Sequence, residues 1–303
     1  MKLFTIKNLL IAAIICCAAI GMAIFALLSS QKKEPVKEPA KPEQKIEEPA
    51  KIAEPEIAKH KIIGYSAQNR PIESHTFGTG EKLLVFVGGI HGGYEWNSSL
   101  LAWEFIDYFE KNPKSIPENL SVAIIPALNP DGLAKITGKD GRFTIADIPE
   151  GNNETGRFNA NNVDLNRNFD CNWQPKGLWR QKEVSAGTAP FSEPESKAIR
   201  DFVLQNNPAA VLFWHSQSNA VYGSMCNNDM MPETRVILNA YANVSGYAAV
   251  DTFDNYQITG DATDWLASIN VPAISVELST HNTIEWTKNL AGITALFNYY
   301  KNK

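Results

Sequence analysis

LLVFVGGIHGGYEWNSS, residues 83–99, sets the reading of the whole chain. Leu83 to Val87 is an unbroken apolar run, short and free of polar alternation, so it reads as a strand buried on both faces. The run stops at Gly88-Gly89, and His91 and Glu95 follow at once. Glycine allows close approach of backbone to a ligand, and α/β folds place their sites just beyond buried strand ends. Leu100, Leu101, Phe105, Ile106 and Phe109 then recur at helical spacing, which predicts a helix over 98–110.

Outward from this strand the same alternation continues. Residues 62–78 predict a hairpin around Ser66 to Asn69, and Gly78 to Gly80 a turn into the buried strand. SVAIIPAL, residues 121–128, reads as another buried strand, closed by the turn residues Asn129-Pro130-Asp131-Gly132. Residues 133–190 read as a long polar loop, which inside a compact domain is usually functional. SEPE, residues 192–195, carries a capping-box pattern opening a helix to Asn206. AVLFW (210–214), a helix over 232–245, a short helix near Asp264, the strand PAISVEL (272–278) and a last helix from Thr283 complete the series. Strands alternating with amphipathic helices predict an α/β class, a three-layer α/β/α sandwich on a mixed, mostly parallel sheet.

The chain has 303 residues, 44% hydrophobic and 20% charged, enough for one large domain with appendages. Residues 9–28 are uncharged and almost wholly apolar; at about 1.5 Å per residue they suit a membrane-spanning helix of roughly 30 Å, a signal peptide, cleaved or uncleaved, being the other reading. Residues 31–61 alternate Lys, Glu, Pro and Ala and read as a disordered tether, with a catalytic domain over 62–303. The first 61 residues hold ten Lys and seven Glu, so 18 basic and 26 acidic residues are left for the domain. A domain this acidic lacks the basic footprint of a nucleic-acid binder.

AVLFW ends as the opening strand does, with His215 and Ser216. His91, Glu95 and His215, two imidazoles and a carboxylate from separate strand ends, form the ligand set of an open zinc site with one position free. With IHGGYE and FWHS stand RFNANNVDLNRNF (157–169), YQITGDATDW (256–265) and SVEL (275–278). In that order these pieces resemble the zinc carboxypeptidase family of the carboxypeptidase A and B type, particularly bacterial members that trim cell-wall peptides.

The resemblance implies one bound zinc on His91, Glu95 and His215, with Glu277 as the general base for the attacking water. It implies that Arg157 stabilises the developing oxyanion. Arg167, with Asn166 beside it, would hold the substrate's terminal carboxylate, Tyr256 would close over the terminal residue, and Asp164 would orient a zinc-ligating histidine. Thr263 falls at the floor of the specificity pocket, and Asp261 two residues earlier could meet a substrate ammonium or stand as a solvated loop aspartate. The family's motif is usually His-x-x-Glu; here Gly92-Gly93-Tyr94 puts one more residue between the ligands, which a glycine bulge could absorb. With an anchor and tether, these features imply a membrane-anchored enzyme whose extracytoplasmic domain cuts peptidoglycan stem peptides, at the bond from D-glutamate to diaminopimelate or near it. A general exopeptidase on L-peptides and a non-catalytic cell-wall-binding module are the alternatives. Cys171 and Cys226 are either one disulfide between two rim loops or two free thiols.

Overall fold

The computed structural model describes residues 59–303 except 152, 228 and 229. The apolar segment 9–28 and the tether up to residue 58 lie outside the described residues. Among the described residues no helix is long and apolar enough to cross a membrane. The first strand takes in Lys59 to Lys61, so the folded domain begins earlier than composition alone indicates.

Eight strands build one sheet: β1 (Lys59–Tyr65), β2 (Pro71–Gly78), β3 (Lys82–Val87), β4 (Leu120–Ile125), β7 (Ala210–Ser216), β8 (Ala220–Gly223), β9 (Ala248–Val250) and β10 (Ala273–Leu278). β5 (Lys176–Trp179) and β6 (Lys182–Ser185) form a separate antiparallel hairpin. The large sheet runs β1-β2-β4-β3-β7-β10-β8-β9. Its centre, β4-β3-β7-β10, is parallel, while β1, β2 and β8 join antiparallel. The buried centre follows from the apolar runs: every residue of β7 is buried, as are Leu84 to Val87. Continuous hydrophobicity is what a strand covered on both faces requires.

Helices α1 (Trp96–Lys111), α4 (Pro232–Ser245) and α6 (Trp286–Asn302) cover one face. Their Phe105, Phe109, Ile237 and Phe297 pack on Leu84, Phe86, Leu212 and Trp214. Helices α3 (Pro194–Asn206) and α5 (Ala262–Ser268) cover the other, where Ile199, Phe202 and Trp265 meet Val85, Val87, Val211 and Phe213. Alternate strand residues thus feed the two cores, and the sandwich has three layers.

The structure departs from the sequence expectation at several elements. The Asn129-Pro130-Asp131-Gly132 stretch opens a helix, α2 (Pro130–Thr137): the Asn129 side chain accepts from Gly132 N at 2.8 Å, and Pro130 sits in the first turn. The stretch read as a long loop contains the rest of α2 and the β5–β6 hairpin. The SEPE capping box does not form. Glu195 instead accepts from Ala67 N at 3.0 Å and from the Asn159 amide at 3.1 Å, and Ser192 donates to Glu193 at 2.8 Å. Tertiary partners have taken the groups the box would use. The strand read over 121–128 ends at Ile125, and the last helix starts at Trp286, after Glu285 in a left-handed conformation.

Candidate active site

His91 lies just beyond β3, and Gly92–Glu95 forms one turn of 3-10 helix before α1. That turn absorbs the extra residue between His91 and Glu95. Gly92 adopts φ +47, and a Cβ there would lie 2.5 Å from Gly156 O; at Gly93 it would lie 2.4 Å from Ile136 Cγ1. Only glycine permits so close a passage. His215 is the penultimate residue of β7. His91, Glu95 and His215 are all buried, and each offers a ligand atom within 4.8 Å of the others.

Glu95 Oε2 lies 3.1 Å from His215 Nδ1 and accepts from Ser216 N, also at 3.1 Å. His91 Nδ1 is buried without a hydrogen-bond partner, 3.5 Å from Asp164 Oδ1. An unsatisfied buried imidazole nitrogen beside a carboxylate and a second imidazole fits a divalent cation in chemistry and in spacing. Burial, followed by the nearby Arg157 charge, holds His91 well below the usual histidine range, so its neutral ligating form is favoured.

Arg157 is buried behind this cluster. Its Nε donates to Asp164 Oδ2 at 2.9 Å, its Nη1 stands 3.6 Å from Glu95 Oε1, and its Cζ lies 4.8 Å from the Trp179 ring centroid. A fully buried guanidinium needs such partners. Glu277 sits on β10 directly beside His215 on β7 in the parallel ladder. Burial, then the Glu95 charge, pushes its carboxyl up to about 8.

These groups open on a cavity of about 420 Å³. Arg167 and Asn166 line it, but both are anchored. Arg167 donates to Leu178 O through Nε (3.1 Å) and Nη2 (2.8 Å). The Asn166 amide donates to Asp261 Oδ2 at 2.8 Å and its oxygen accepts from Ala262 N at 3.0 Å. Tyr256 stands on the cavity wall, its ring 4.8 Å from Phe253.

Asp261 is a buried helix cap. It accepts from Thr263 N at 2.8 Å, Thr263 Oγ1 at 2.6 Å and Asp264 N at 3.1 Å. With the Asn166 bond its oxygens are occupied by the protein, and it is not a solvated loop residue. Thr263 is buried and lines the cavity, its Oγ1 3.5 Å from Ser275 Oγ.

Residues 46–294 match the family model described as zinc carboxypeptidase. The chain belongs to the zinc carboxypeptidase family. Zinc is accordingly the metal that the His91, Glu95 and His215 cluster is suited to hold. The chain is 25% identical over 241 residues to gamma-D-glutamyl-L-diamino acid endopeptidase 1 of Lysinibacillus sphaericus, covering 72% of this chain and 60% of that protein. It is 30% identical over 175 residues to carboxypeptidase B of Astacus astacus, covering 54% and 56%. The match thus spans less than two thirds of either relative. Among solved structures, bovine thrombin-activatable fibrinolysis inhibitor superposes with TM-score 0.66 at 21% identity over 82% of this chain and 92% of that one. The murein-tripeptide amidase MpaA of Escherichia coli O157 gives 0.55 at 20% over 78% and 91%. At such identities the superpositions speak for the fold.

Several residues at or beside the cavity are not singled out by the sequence. Asp264 faces the cavity and accepts from Met225 N at 3.0 Å; burial, then the Asp261 charge, pushes it up to about 7. Its position on the first turn after Asp261 was the available signal. Trp179 and Arg180 arrive on the β5–β6 hairpin, hidden in a stretch that reads as loop. His281 stands 2.7 Å from Ser216 Oγ and 4.7 Å from the Tyr94 ring. Nothing in the spacing of STHN marks it. Cys171 and Cys226 form a disulfide with Cα atoms 6.0 Å apart.

Proposed function

We propose that this domain is a zinc-dependent carboxypeptidase acting on peptidoglycan stem peptides, at the bond from D-glutamate to diaminopimelate or one close to it. The observation that carries the proposal is the opening of Glu277, Arg157 and the His91, Glu95 and His215 cluster onto one cavity. Membership of the family supports peptide hydrolysis, and the names of two relatives, an endopeptidase for gamma-D-glutamyl-L-diamino acids and a murein-tripeptide amidase, support the substrate class.

A zinc ion held by His91, Glu95 and His215 would polarise the scissile carbonyl and lower the pKa of a water. Glu277 takes the proton of the attacking water and returns it to the departing nitrogen. Burial and the Glu95 charge raise its proton affinity when no metal is bound; a zinc ion nearby would favour the ionised form needed to take the proton, and burial favours its holding that proton afterwards. Arg157, fixed by Asp164, offers its remaining N–H groups to the oxygen that gains charge. Asn166, Arg167 and Tyr256 stand at the cavity wall where a free carboxylate would be held.

The cavity floor favours a polar terminal residue. Thr263, Asp264 and Ser275 line it, with no large apolar side chain among the three. Asp264, rather than the capped Asp261, is the carboxylate available to an ammonium, as the distal centre of diaminopimelate would present. An ammonium within reach would hold Asp264 ionised against its burial. The apolar segment 9–28 and the charged tether after it would place the domain outside the cytoplasmic membrane, where such peptides lie.

The test is incubation of the purified, zinc-loaded domain with muropeptides carrying diaminopimelate or lysine, products being read by mass. Cleavage of the diaminopimelate peptides in preference to the lysine ones is expected. Hydrolysis only of ordinary L-peptides would replace this reading with a general exopeptidase, and no mass change with any peptide would favour a wall-binding module.

A further inference from the structure

A second set of metal-ligating side chains lies far from the cavity, on the β1–β2 edge of the sheet. His60 on β1 is directly opposite His75 on β2, and Glu73, two residues before His75, shares the face. Glu73 Oε2 lies 3.4 Å from His60 Nε2 and 3.5 Å from His75 Nε2. The two imidazoles stack at 4.7 Å, and the edge of Trp103 braces His75 at 5.4 Å. β2, β4 and β3 separate β1 from β7, so this cluster shares no element with the catalytic one.

We propose that His60, Glu73 and His75 form a second divalent-metal site that clips β1 to β2. Three observations carry this. Ligand arms of about 2.0 to 2.1 Å in a tetrahedron leave donor atoms roughly 3.3 to 3.4 Å apart, and both carboxylate-to-imidazole distances already stand within a few tenths of an ångström of that. His75 Nε2 is buried and makes no hydrogen bond, although it faces Glu73. Both imidazole nitrogens converge on one carboxylate oxygen, and the three ligand atoms all lie within 4.8 Å of one another, close enough to share one cation.

The donor set is imidazole and carboxylate, which suits zinc and its neighbours over magnesium or calcium. His60 is half exposed, so solvent supplies the remaining ligand and the ion has a way in. The clip also has something to hold: Lys59 to Ile62 are all exposed, and this end of β1 has its ladder to β2 as its pairing in the sheet. A metal bond across the pair would tie down the exposed start of the domain, directly after the charged tether.

The experiment is equilibrium dialysis of the zinc-loaded protein at rising free zinc, to roughly 100 µM, a concentration at which a micromolar site fills, with zinc per chain read by mass spectrometry. Wild type is expected to reach two equivalents and to show a zinc-dependent rise in Tm. His75→Ala and Glu73→Gln are expected to stop at one equivalent, to lose the rise and to keep wild-type peptidase activity. His91→Ala is expected to bind one equivalent weakly, which separates this site from the catalytic one. Should His75→Ala fail to fold, Glu73→Gln, partly exposed and nearly isosteric, decides alone. Wild type saturating at one equivalent, or both edge variants retaining the second, would overturn the proposal.

Discussion

Asp164 and Arg157 are locked together inside the domain: Arg157 Nε donates to Asp164 Oδ2 at 2.9 Å while Asp164 Oδ1 stands 3.5 Å from His91. One fully buried carboxylate thus faces both Arg157 and His91, a member of the cluster suited to a metal. Asp164→Asn leaves the guanidinium without its charge partner and removes the negative charge beside His91. Zinc affinity should fall by about 10- to 100-fold, and the loss of a buried partner should cost about 3 kcal/mol or more of stability. Zinc competition with a chelator and denaturant unfolding would measure the two; unchanged zinc affinity would remove Asp164 from the site.

The turn that absorbs the additional residue before Glu95 tolerates no side chain at Gly93. A Cβ there meets Ile136 Cγ1 at 2.4 Å and Gly132 O at 2.8 Å. Because one of those contacts is backbone, the turn itself must shift. Gly93→Ala should therefore lose zinc while Gly138→Ala, where nothing lies within 4 Å of an added Cβ, should retain it. Metal content of the two purified variants checks this, and full zinc in Gly93→Ala would contradict it.

Asp264 gives the stability a pH dependence of known sign. Its carboxyl titrates near 3.8 when free and about 7 in the fold, burial and then Asp261 being the causes. Between those values the native chain binds more protons than the unfolded one, so stability falls as pH rises through the window. The contribution is fully present below the lower value and lost as pH passes the upper. Asp264→Asn should flatten that part of the curve, read as urea midpoints at pH values spanning the window. Parallel curves for the two proteins would refute the assignment.

The Cys171–Cys226 bond closes a span of 55 residues and ties the segment after Arg167 to the one after β8. Gly260 N donates to Cys171 O at 2.8 Å, so the same segment holds the loop carrying Tyr256 and Asp261. Loop-closure entropy alone makes the bond worth about 4 kcal/mol. The Cys171→Ser, Cys226→Ser double variant should unfold at correspondingly lower denaturant, with a raised KM; equal stability of the two forms would show that the loops hold without it.

The sheet was legible where burial wrote continuous apolar runs, as in Leu83 to Val87, and the helices where one face repeats, as in 232–245. The metal ligands stood out because His91 and His215 each close such a run. What escaped depends on contacts distant in sequence. Asn129 reads as a turn residue until its side chain is seen capping α2, and Glu195 reads as half of a capping box until Ala67 and Asn159 claim it. Asp261 and Asp264 are near neighbours with different fates, one bound into a helix cap and one facing the cavity. Only the packing of α5 against Asn166 and Met225 tells them apart.

The proposed reaction needs a metal-binding trio and a separate proton carrier, and zinc content paired with turnover separates their roles most directly. Glu95→Ala and Glu277→Gln, dialysed to strip loosely held metal, are compared with wild type on a stem peptide. Glu95→Ala should lose its tightly bound zinc; Glu277→Gln should keep one equivalent and lose about 100-fold or more in kcat. Tight zinc in Glu95→Ala, or wild-type turnover in Glu277→Gln, would contradict the account.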